Sequence, residues 1–119
     1  MAVLGLHHAH ICCPPGGEAQ ARTFYVDQLG LTELPRPAYL GVGWWFALPD
    51  GGQVHVSTET EVGAHPRRHF ALRVDDVAGI RRALEAEGVR SEDAVEIPNV
   101  SRCYVFDPFG NKIELHEIG

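Results

Sequence analysis

Four residues of metal-binding type, His8, His55, His69 and Glu114, recur along the chain at a nearly constant spacing. The interval from His8 to His69 is almost the same as the interval from His55 to Glu114. Imidazoles with one carboxylate suit a divalent transition metal such as Fe, Mn, Ni or Zn, and two histidines with one carboxylate leave coordination positions open. A metal held in this way polarises an oxygen of a bound substrate, or activates water or dioxygen. We interpret these four residues as candidate metal ligands.

The first ligand lies in a segment that favours a β-strand, Val3–Cys12. Alternation along a strand places His8 and His10 on one face and His7 on the other, where we expect it to face a helix. His10 is therefore a candidate general base or a partner of the metal ligands. The alternative is a hydrogen-bonded histidine in the wall of a cavity.

The last ligand lies in a predicted hairpin. Asp107–Asn111 contains Pro, Gly and Asn, which is typical of a turn, and β-favouring residues lie on both sides. Glu114 then shares one face of the closing strand with His116. A carboxylate in this position is held by a strand, which fixes ligand geometry better than a loop does.

An earlier copy of this hairpin spans Trp44–Val56, where His55 takes the place of Glu114. Helical periodicity follows Glu18 up to Gly30, and it returns over Val77–Glu87 up to Gly88. The two glycines are separated by nearly the same interval as the paired ligands. Each half therefore has the predicted order β-α-β-β-β, and the matching offsets indicate an internal duplication.

The predicted fold is α+β, with two β-α-β-β-β modules that form a half-open sheet. The helix of each module covers one sheet face, and pairing the two bare faces would enclose a cavity that brings the four candidate ligands together. The segment 59–66 contains Gly and Pro and is the candidate linker. We predict one domain, 1–119, with modules at roughly 1–60 and 67–119.

Composition excludes several classes of protein. The chain has 119 residues, 45% of them hydrophobic and 22% charged, as in an ordinary globular protein. A net charge of -6 argues against nucleic-acid binding, and no apolar run is long enough to cross a membrane. Three cysteines, an odd number, fit a reducing compartment, so we expect a cytoplasmic protein.

The order of these motifs resembles the vicinal oxygen chelate superfamily, which includes glyoxalases, bleomycin resistance proteins, fosfomycin resistance transferases and extradiol dioxygenases. The resemblance is carried almost from end to end by the following segments: Leu6–His8, Phe24–Tyr25, Leu29–Leu31, Arg68–Phe70, Val74–Val77 and Phe106–Glu114.

The resemblance implies a metal site and a reaction on a small oxygenated substrate. His8 resembles the first-strand ligand of the family, His69 its counterpart in the second module, and Glu114 the closing carboxylate. In glyoxalase-like chemistry a metal-bound glutamate is the base, which makes Glu114 a candidate catalytic residue as well. His55 stands where glyoxalase I relatives have a carboxylate, so it is either a fourth ligand or a cavity-lining histidine.

Substrate binding is predicted for Trp45, Arg102 and Tyr104. Arg102 and Tyr104 share a strand face and could bind an anionic or carbonyl-bearing substrate; ordinary cross-strand pairing explains them equally well. Trp44 and Trp45 point to opposite faces, so one should line the cavity and the other should pack in the core.

Two functions follow from this interpretation. The first is a metal-dependent enzyme with isomerase, lyase, dioxygenase or thiol-transferase chemistry. The alternative is a metal-free binding protein of the bleomycin resistance kind, with aromatic walls. Relatives form twofold dimers, so we expect a homodimer, whose metal sites could combine His8 of one chain with His69 and Glu114 of the other.

Overall fold

The computed structural model describes residues 1–60 and 67–117, so most of the predicted linker and Ile118, the predicted end of the last strand, lie outside the described residues. The chain divides into two compact units, Met1–Val62 and Gly63–Gly119. The elements of the first unit, in chain order, are β1 (His8–Cys13), α1 (Glu18–Arg22) continued by a π-helical turn (Thr23–Gln28), β2 (Thr32–Leu34), a 3₁₀ turn (Ala38–Leu40), β3 (Gly43–Ala47) and β4 (Gln53–Thr58).

The second unit repeats this order. Its elements are β5 (His69–Val74), α2 (Val77–Ala86), β6 (Ser91–Asp93), β7 (Arg102–Phe106) and β8 (Lys112–Glu117). Asp76 caps α2, because its side chain accepts a hydrogen bond from the Gly79 amide. The predicted β-α-β-β-β order is thus confirmed in both units.

Each unit forms a four-stranded sheet of the same topology, β1-β4-β3-β2 in the first and β5-β8-β7-β6 in the second. The first and last strands of each unit are parallel neighbours, and the other pairs are antiparallel. The α+β fold predicted from the sequence, with two modules of open sheet, is therefore confirmed.

The strand registers support the internal duplication residue by residue. Trp45 pairs with His55 in the first sheet, and Tyr104 pairs with Glu114 in the second, so both members of the pair shift by the same interval. Gly30 and Gly88, which are related by nearly that interval, follow the helical segments with positive φ values of 76° and 86°. Glycine is the residue that adopts this conformation without strain.

Several elements differ from the sequence prediction. β1 begins at His8 and not at Val3, because its partner β4 begins opposite it, at Gln53. The first helix widens into a π turn, in which the Leu29 amide bonds to the Phe24 carbonyl five positions back. β6 spans Ser91–Asp93, which is shorter than the strand that the sequence predicts over Val89–Ile97. No helix of the described residues has the length and apolar character needed to cross a membrane.

Each sheet buries one face in its own core. The largest fully buried side chains of the first unit are Tyr25, Phe24, Phe46, Val54 and Val56. Those of the second unit are Ile113, Leu115, Val105 and Cys103. Because strand residues alternate, the candidate ligand His55 lies on the face of β4 that points away from the core. Glu114 lies on the corresponding face of β8.

The two hairpin turns have the same backbone hydrogen bonds but different side-chain support. Leu48 and Gly52 pair through their backbones in the first turn, as Asp107 and Asn111 do in the second. Asp107, only 4% exposed, also accepts hydrogen bonds from the Phe109 and Asn111 amides and from the Asn111 side chain. One carboxylate therefore holds the turn that precedes Glu114.

Replacing Asp107 with Ala should lower the free energy of unfolding by about 2–3 kcal/mol, because three donors lose a charged acceptor in a buried site. Asp50 is the matched control, since it accepts a hydrogen bond of 2.9 Å from the Gly52 amide in an exposed turn. Asp50→Ala should cost less than about 1 kcal/mol. Urea unfolding measures both variants, and equal losses would contradict this account of the second turn.

Candidate functional site

The first unit has a column of three stacked rings on the face of its sheet opposite the core. The His8 ring stacks on His55 with centroids 3.9 Å apart and an interplanar angle of 15°. Trp45 stacks on His55 at 4.7 Å and 16°. Trp44 is 7% exposed and packs in the core, as the alternation predicts for one of the two tryptophans.

Hydrogen bonding and burial together define the protonation of His55. Its Nε2 lies 2.7 Å from Gln53 Oε1, an acceptor, so the proton is on Nε2 and Nδ1 carries the lone pair. Burial lowers the pKa of His55 to about 4, and the nearby charges of His8, His10, His7 and Arg36 act in the same direction. His55 is therefore neutral at pH 7, the form that binds a metal.

The low pKa of His55 predicts how stability depends on pH in the metal-free protein. The unfolded chain takes up this proton near pH 6.5, but the folded chain does so only near pH 4. We therefore expect the free energy of unfolding to fall as the pH decreases from 6.5 to 4, by on the order of 2–3 kcal/mol. Urea unfolding across this range should show a shallower fall in His55→Asn, and an unchanged slope would contradict the assignment.

Two other histidines of the first unit lie beside the column. His10 Nε2 is 2.8 Å from Ser57 Oγ, so this candidate catalytic residue is hydrogen-bonded to the neighbouring strand. The expectation that His7 faces the helix is wrong. His7 precedes β1, so strand alternation does not apply to it, and its ring packs edge-on against those of His8 and His55.

The second unit surrounds one buried carboxylate with nitrogen donors. Glu114 is 8% exposed, and its Oε1 lies 3.2 Å from His69 Nε2 and 3.3 Å from Arg102 Nη1. Its Oε2 lies 3.0 Å from His116 Nδ1. The structure thus brings His69, Arg102 and Glu114 together within one unit.

The neighbours of Glu114 keep it ionised. Burial acts to raise the pKa of this carboxyl, but the hydrogen bond from His116 and the charges of Arg102 and His69 outweigh it, and the pKa lies below its usual value. The result is a buried carboxylate that can serve as a metal ligand without first losing a proton.

The backbone orients the ring of His69. Its Nδ1 lies 3.0 Å from the Arg67 carbonyl oxygen, which can only accept, so Nδ1 donates and Nε2 faces Glu114. Histidines that bind metals almost always donate their other ring N–H in this way. The 3.2 Å between His69 Nε2 and Glu114 Oε1 also matches the roughly 3 Å expected between neighbouring ligands that are each about 2.1 Å from one metal.

Tyr104 lies against the same cluster. Its hydroxyl accepts a hydrogen bond of 3.2 Å from Arg102 Nη1, and the edge of its ring meets His69 with centroids 5.4 Å apart. The Lys112 ammonium lies 3.9 Å from the ring centroid, within the range of a cation–π contact. Tyr104 and Trp45 occupy equivalent positions of the two units, each beside a candidate ligand.

The donor types fit a divalent transition metal, but each unit supplies only two of the four candidate ligands. Within residues 1–60 and 67–117, no group of three or more His, Cys, Asp or Glu side chains is arranged to hold a metal ion. His69 and His116 contact different oxygens of Glu114, so these three groups do not converge on one point. That the pairs His8–His55 and His69–Glu114 share one metal stays a prediction.

Sequence reasoning missed Arg36, Gln53 and Ser57. Arg36 lies between two prolines in a segment without periodicity, and Gln53 directly follows a glycine-rich turn. The only available signal was strand alternation, which places Gln53 and Ser57 on the same face of β4 as His55. No pattern in the sequence marked Arg36.

Comparison with known families gives a match over residues 7–115 to the Glyoxalase/Bleomycin resistance protein/Dioxygenase superfamily. The chain belongs to this superfamily, which confirms the resemblance found in the sequence. A search of curated proteins gives no match.

Solved structures show how widely the fold is shared. A glyoxalase family protein from Bacillus anthracis has a TM-score of 0.89 and 31% identity, covering 100% of this chain and 98% of its own. An antibiotic binding protein from Streptomyces sp. has a TM-score of 0.72 and 25% identity, covering 100% and 99%. The fosfomycin resistance protein FosX from Listeria monocytogenes has a TM-score of 0.80 and 16% identity, covering 99% and 96%, and shows likeness of fold alone.

Proposed function

We propose that this chain is a metal-dependent enzyme that acts on a small oxygenated substrate, with His8, His55, His69 and Glu114 as the metal ligands. The observation that carries the proposal is the geometry of His69, whose Nδ1 donates to the Arg67 carbonyl while Nε2 faces the Glu114 carboxylate. A buried, ionised carboxylate beside an oriented imidazole is a suitable ligand pair for Fe, Mn, Ni or Zn. When bound, such a metal polarises an oxygen of the substrate.

The residues of this chain have separate roles in the proposed reaction. His10 exchanges a proton with the substrate at Nε2, the atom that is hydrogen-bonded to Ser57 Oγ in this structure. Glu114 would serve both as a ligand and as a base, and His116, whose Nδ1 donates to Oε2 at 3.0 Å, orients this carboxylate.

Substrate binding in this proposal involves three residues, each on the face of its sheet that carries the candidate ligands. Trp45 offers an aromatic surface next to His55. Arg102 and Tyr104 offer a guanidinium and a hydroxyl next to Glu114, so they suit a carbonyl or an anionic group.

The experiment that tests this proposal is turnover after removal and return of the metal. The protein is stripped with a chelator, reloaded separately with Fe, Mn, Ni or Zn, and assayed with 2-oxoaldehydes, catechols and fosfomycin. The proposal expects turnover with at least one metal, none after stripping, and retained metal with much reduced turnover in His10→Ala. Equal turnover by stripped and reloaded protein would contradict it.

A second candidate function is metal-free binding of an aromatic small molecule, as in bleomycin resistance proteins. The column Trp45–His55–His8 favours it, since three stacked rings on a sheet face can continue onto a planar ligand. The similarity to an antibiotic binding protein at 25% identity points the same way. Quenching of tryptophan fluorescence by an aromatic antibiotic, in chelator-treated protein and lost in Trp45→Ala, would favour this function over the enzyme.

We further propose that the chain is a cytoplasmic homodimer with shared metal sites. Large apolar side chains are exposed in the segment before β1 and around the 3₁₀ turn of the first unit, and exposed apolar groups of this kind favour a partner: Met1, Val3, Leu4, Leu6, Tyr39 and Val42. Light scattering coupled to size exclusion should give twice the mass of one chain. A monomer that binds metal stoichiometrically would contradict the sharing of sites.

A further inference from the structure

Arg36 and Arg102 have the same unusual feature. Among the described residues, the Nε atoms of these two arginines are buried side-chain nitrogens without a hydrogen-bond partner. A buried donor without an acceptor is unfavourable, so such atoms are rare and call for an explanation. Both arginines lie near a proposed metal-ligand pair, one in each unit.

The guanidinium of Arg36 is held by the backbone of its own loop. Nη1 donates to the Gly41 carbonyl at 2.6 Å, and Nη2 donates to the Leu40 carbonyl at 3.2 Å. In contrast to Arg102, which pairs with Glu114, Arg36 forms no ion pair with a carboxylate of the described residues. Its positive charge is therefore fixed in place, and no carboxylate in that part of the chain neutralises it.

Gly43 leaves the space that this guanidinium occupies. A β-carbon built on Gly43 would lie 3.0 Å from Arg36 Cζ and 3.1 Å from Arg36 Nε. Gly43 is two positions before Trp45 on β3, so the guanidinium lies on the face of the sheet that carries Trp45 and His55. Arg36 is also close enough to His55 to contribute, after burial and the neighbouring histidines, to its lowered pKa.

The internal duplication makes the two arginines equivalent. Gly43 pairs with Ser57 and Arg102 pairs with His116, and these two pairs are related by the same interval that relates Trp45 to Tyr104. In the second unit the guanidinium comes from the strand residue itself. In the first unit that residue is glycine, and the guanidinium comes from Arg36 in the preceding loop.

We propose that Arg36 is an oxyanion-binding residue of the first unit, whose Nε–H donates to a carboxylate, phosphonate or phosphate oxygen of the ligand. This inference rests on the proposed function, because it names an acidic molecule as the class of substrate. Binding of the oxyanion itself needs neither a metal nor turnover. The guanidinium edge that carries Nε suits a planar or tetrahedral oxyanion, because arginine N–H groups match these groups in geometry.

The test is a titration of the whole, metal-free chain followed by NMR of the arginine Nε–H groups. Acetate and methylphosphonate are the two probes, and they distinguish a carboxylate from a phosphorus oxyanion. We expect a saturable shift of the Arg36 Nε–H signal with at least one probe. Arg36→Lys, which keeps the charge but lacks Nε–H, should weaken binding at least tenfold.

Arg22→Lys is the matched control, because Arg22 is exposed and already paired with Glu18 and Glu33, so binding should not change. No saturable shift of Arg36 in the wild-type protein would overturn the inference, and this result requires no variant to fold. Equal binding by Arg36→Lys and wild type would also overturn it. Anion binding at Arg36 without any metal-dependent turnover would support this inference and reject the proposed function. Metal-dependent turnover without anion binding at Arg36 would support the proposed function and reject this inference.

Discussion

Glu114→Gln should lower the affinity of the chain for its metal by at least about 100-fold, since it replaces a charged ligand by a neutral amide in a buried position. The same loss is expected for His69→Ala, because its Nε2 is the atom that faces Glu114 Oε1 at 3.2 Å. Elemental analysis of purified, metal-loaded protein should give about one metal per chain in the wild type and far less in both variants.

The control for this prediction is Glu33→Gln. It removes the same charge, but Glu33 pairs with Arg22 in the first unit and has no contact with a candidate ligand among the described residues. Its metal content should equal that of the wild type. If Glu114→Gln and His69→Ala also keep the wild-type content, these residues are not ligands, and the metal-free binding function gains support.

The second prediction concerns the ion pair of Arg102 with Glu114. Their side chains are only 14% and 11% exposed, whereas those of Arg22 and Glu33 are 44% and 32% exposed. Removing one partner of a buried pair leaves an uncompensated charge and costs about 3–5 kcal/mol. Because His69 and His116 still contact Glu114, we expect Arg102→Met to cost about 2–4 kcal/mol at pH 7.

Arg22→Met is the matched control and should cost less than about 1 kcal/mol, as exposed pairs do. The cost of Arg102→Met should also depend on pH in a defined direction. The lowered pKa of Glu114 stabilises the folded state above the unfolded pKa of 4.5, and this contribution is lost as the pH falls through the lower, folded pKa. The difference between wild type and Arg102→Met should therefore shrink below pH 4.5; urea unfolding at several pH values measures it.

Much of the fold could be predicted from the sequence because strand alternation and the glycines at helix ends are both local signals. Strand alternation placed His55 and Glu114 opposite the core residues, and Gly30 and Gly88 marked the helix ends. The start of β1 could not be predicted, since it depends on where β4 begins, far along the chain. Likewise, the π turn at Phe24 could not be predicted, because helix propensity does not distinguish a hydrogen bond to the fifth preceding residue from one to the fourth.

The candidate site was predictable in type but not in contacts. Residue type and register identified His69, Arg102, Tyr104 and Glu114, which the second unit brings together. The sequence could not show that the Arg67 carbonyl orients the His69 ring, because a backbone contact leaves no mark on residue type. Arg36 escaped notice for the same reason: its position depends on the space left by Gly43.

The second unit carries a strand arginine where the first unit has a loop arginine, and this difference affects any comparison of the two halves. Aligned by sequence, Arg102 falls opposite Gly43, and the pair would count as an unrelated substitution. In three dimensions each half has a guanidinium over that strand position. The two halves thus supply a guanidinium at the same strand position from different residues, so a comparison of aligned residues alone would miss this likeness.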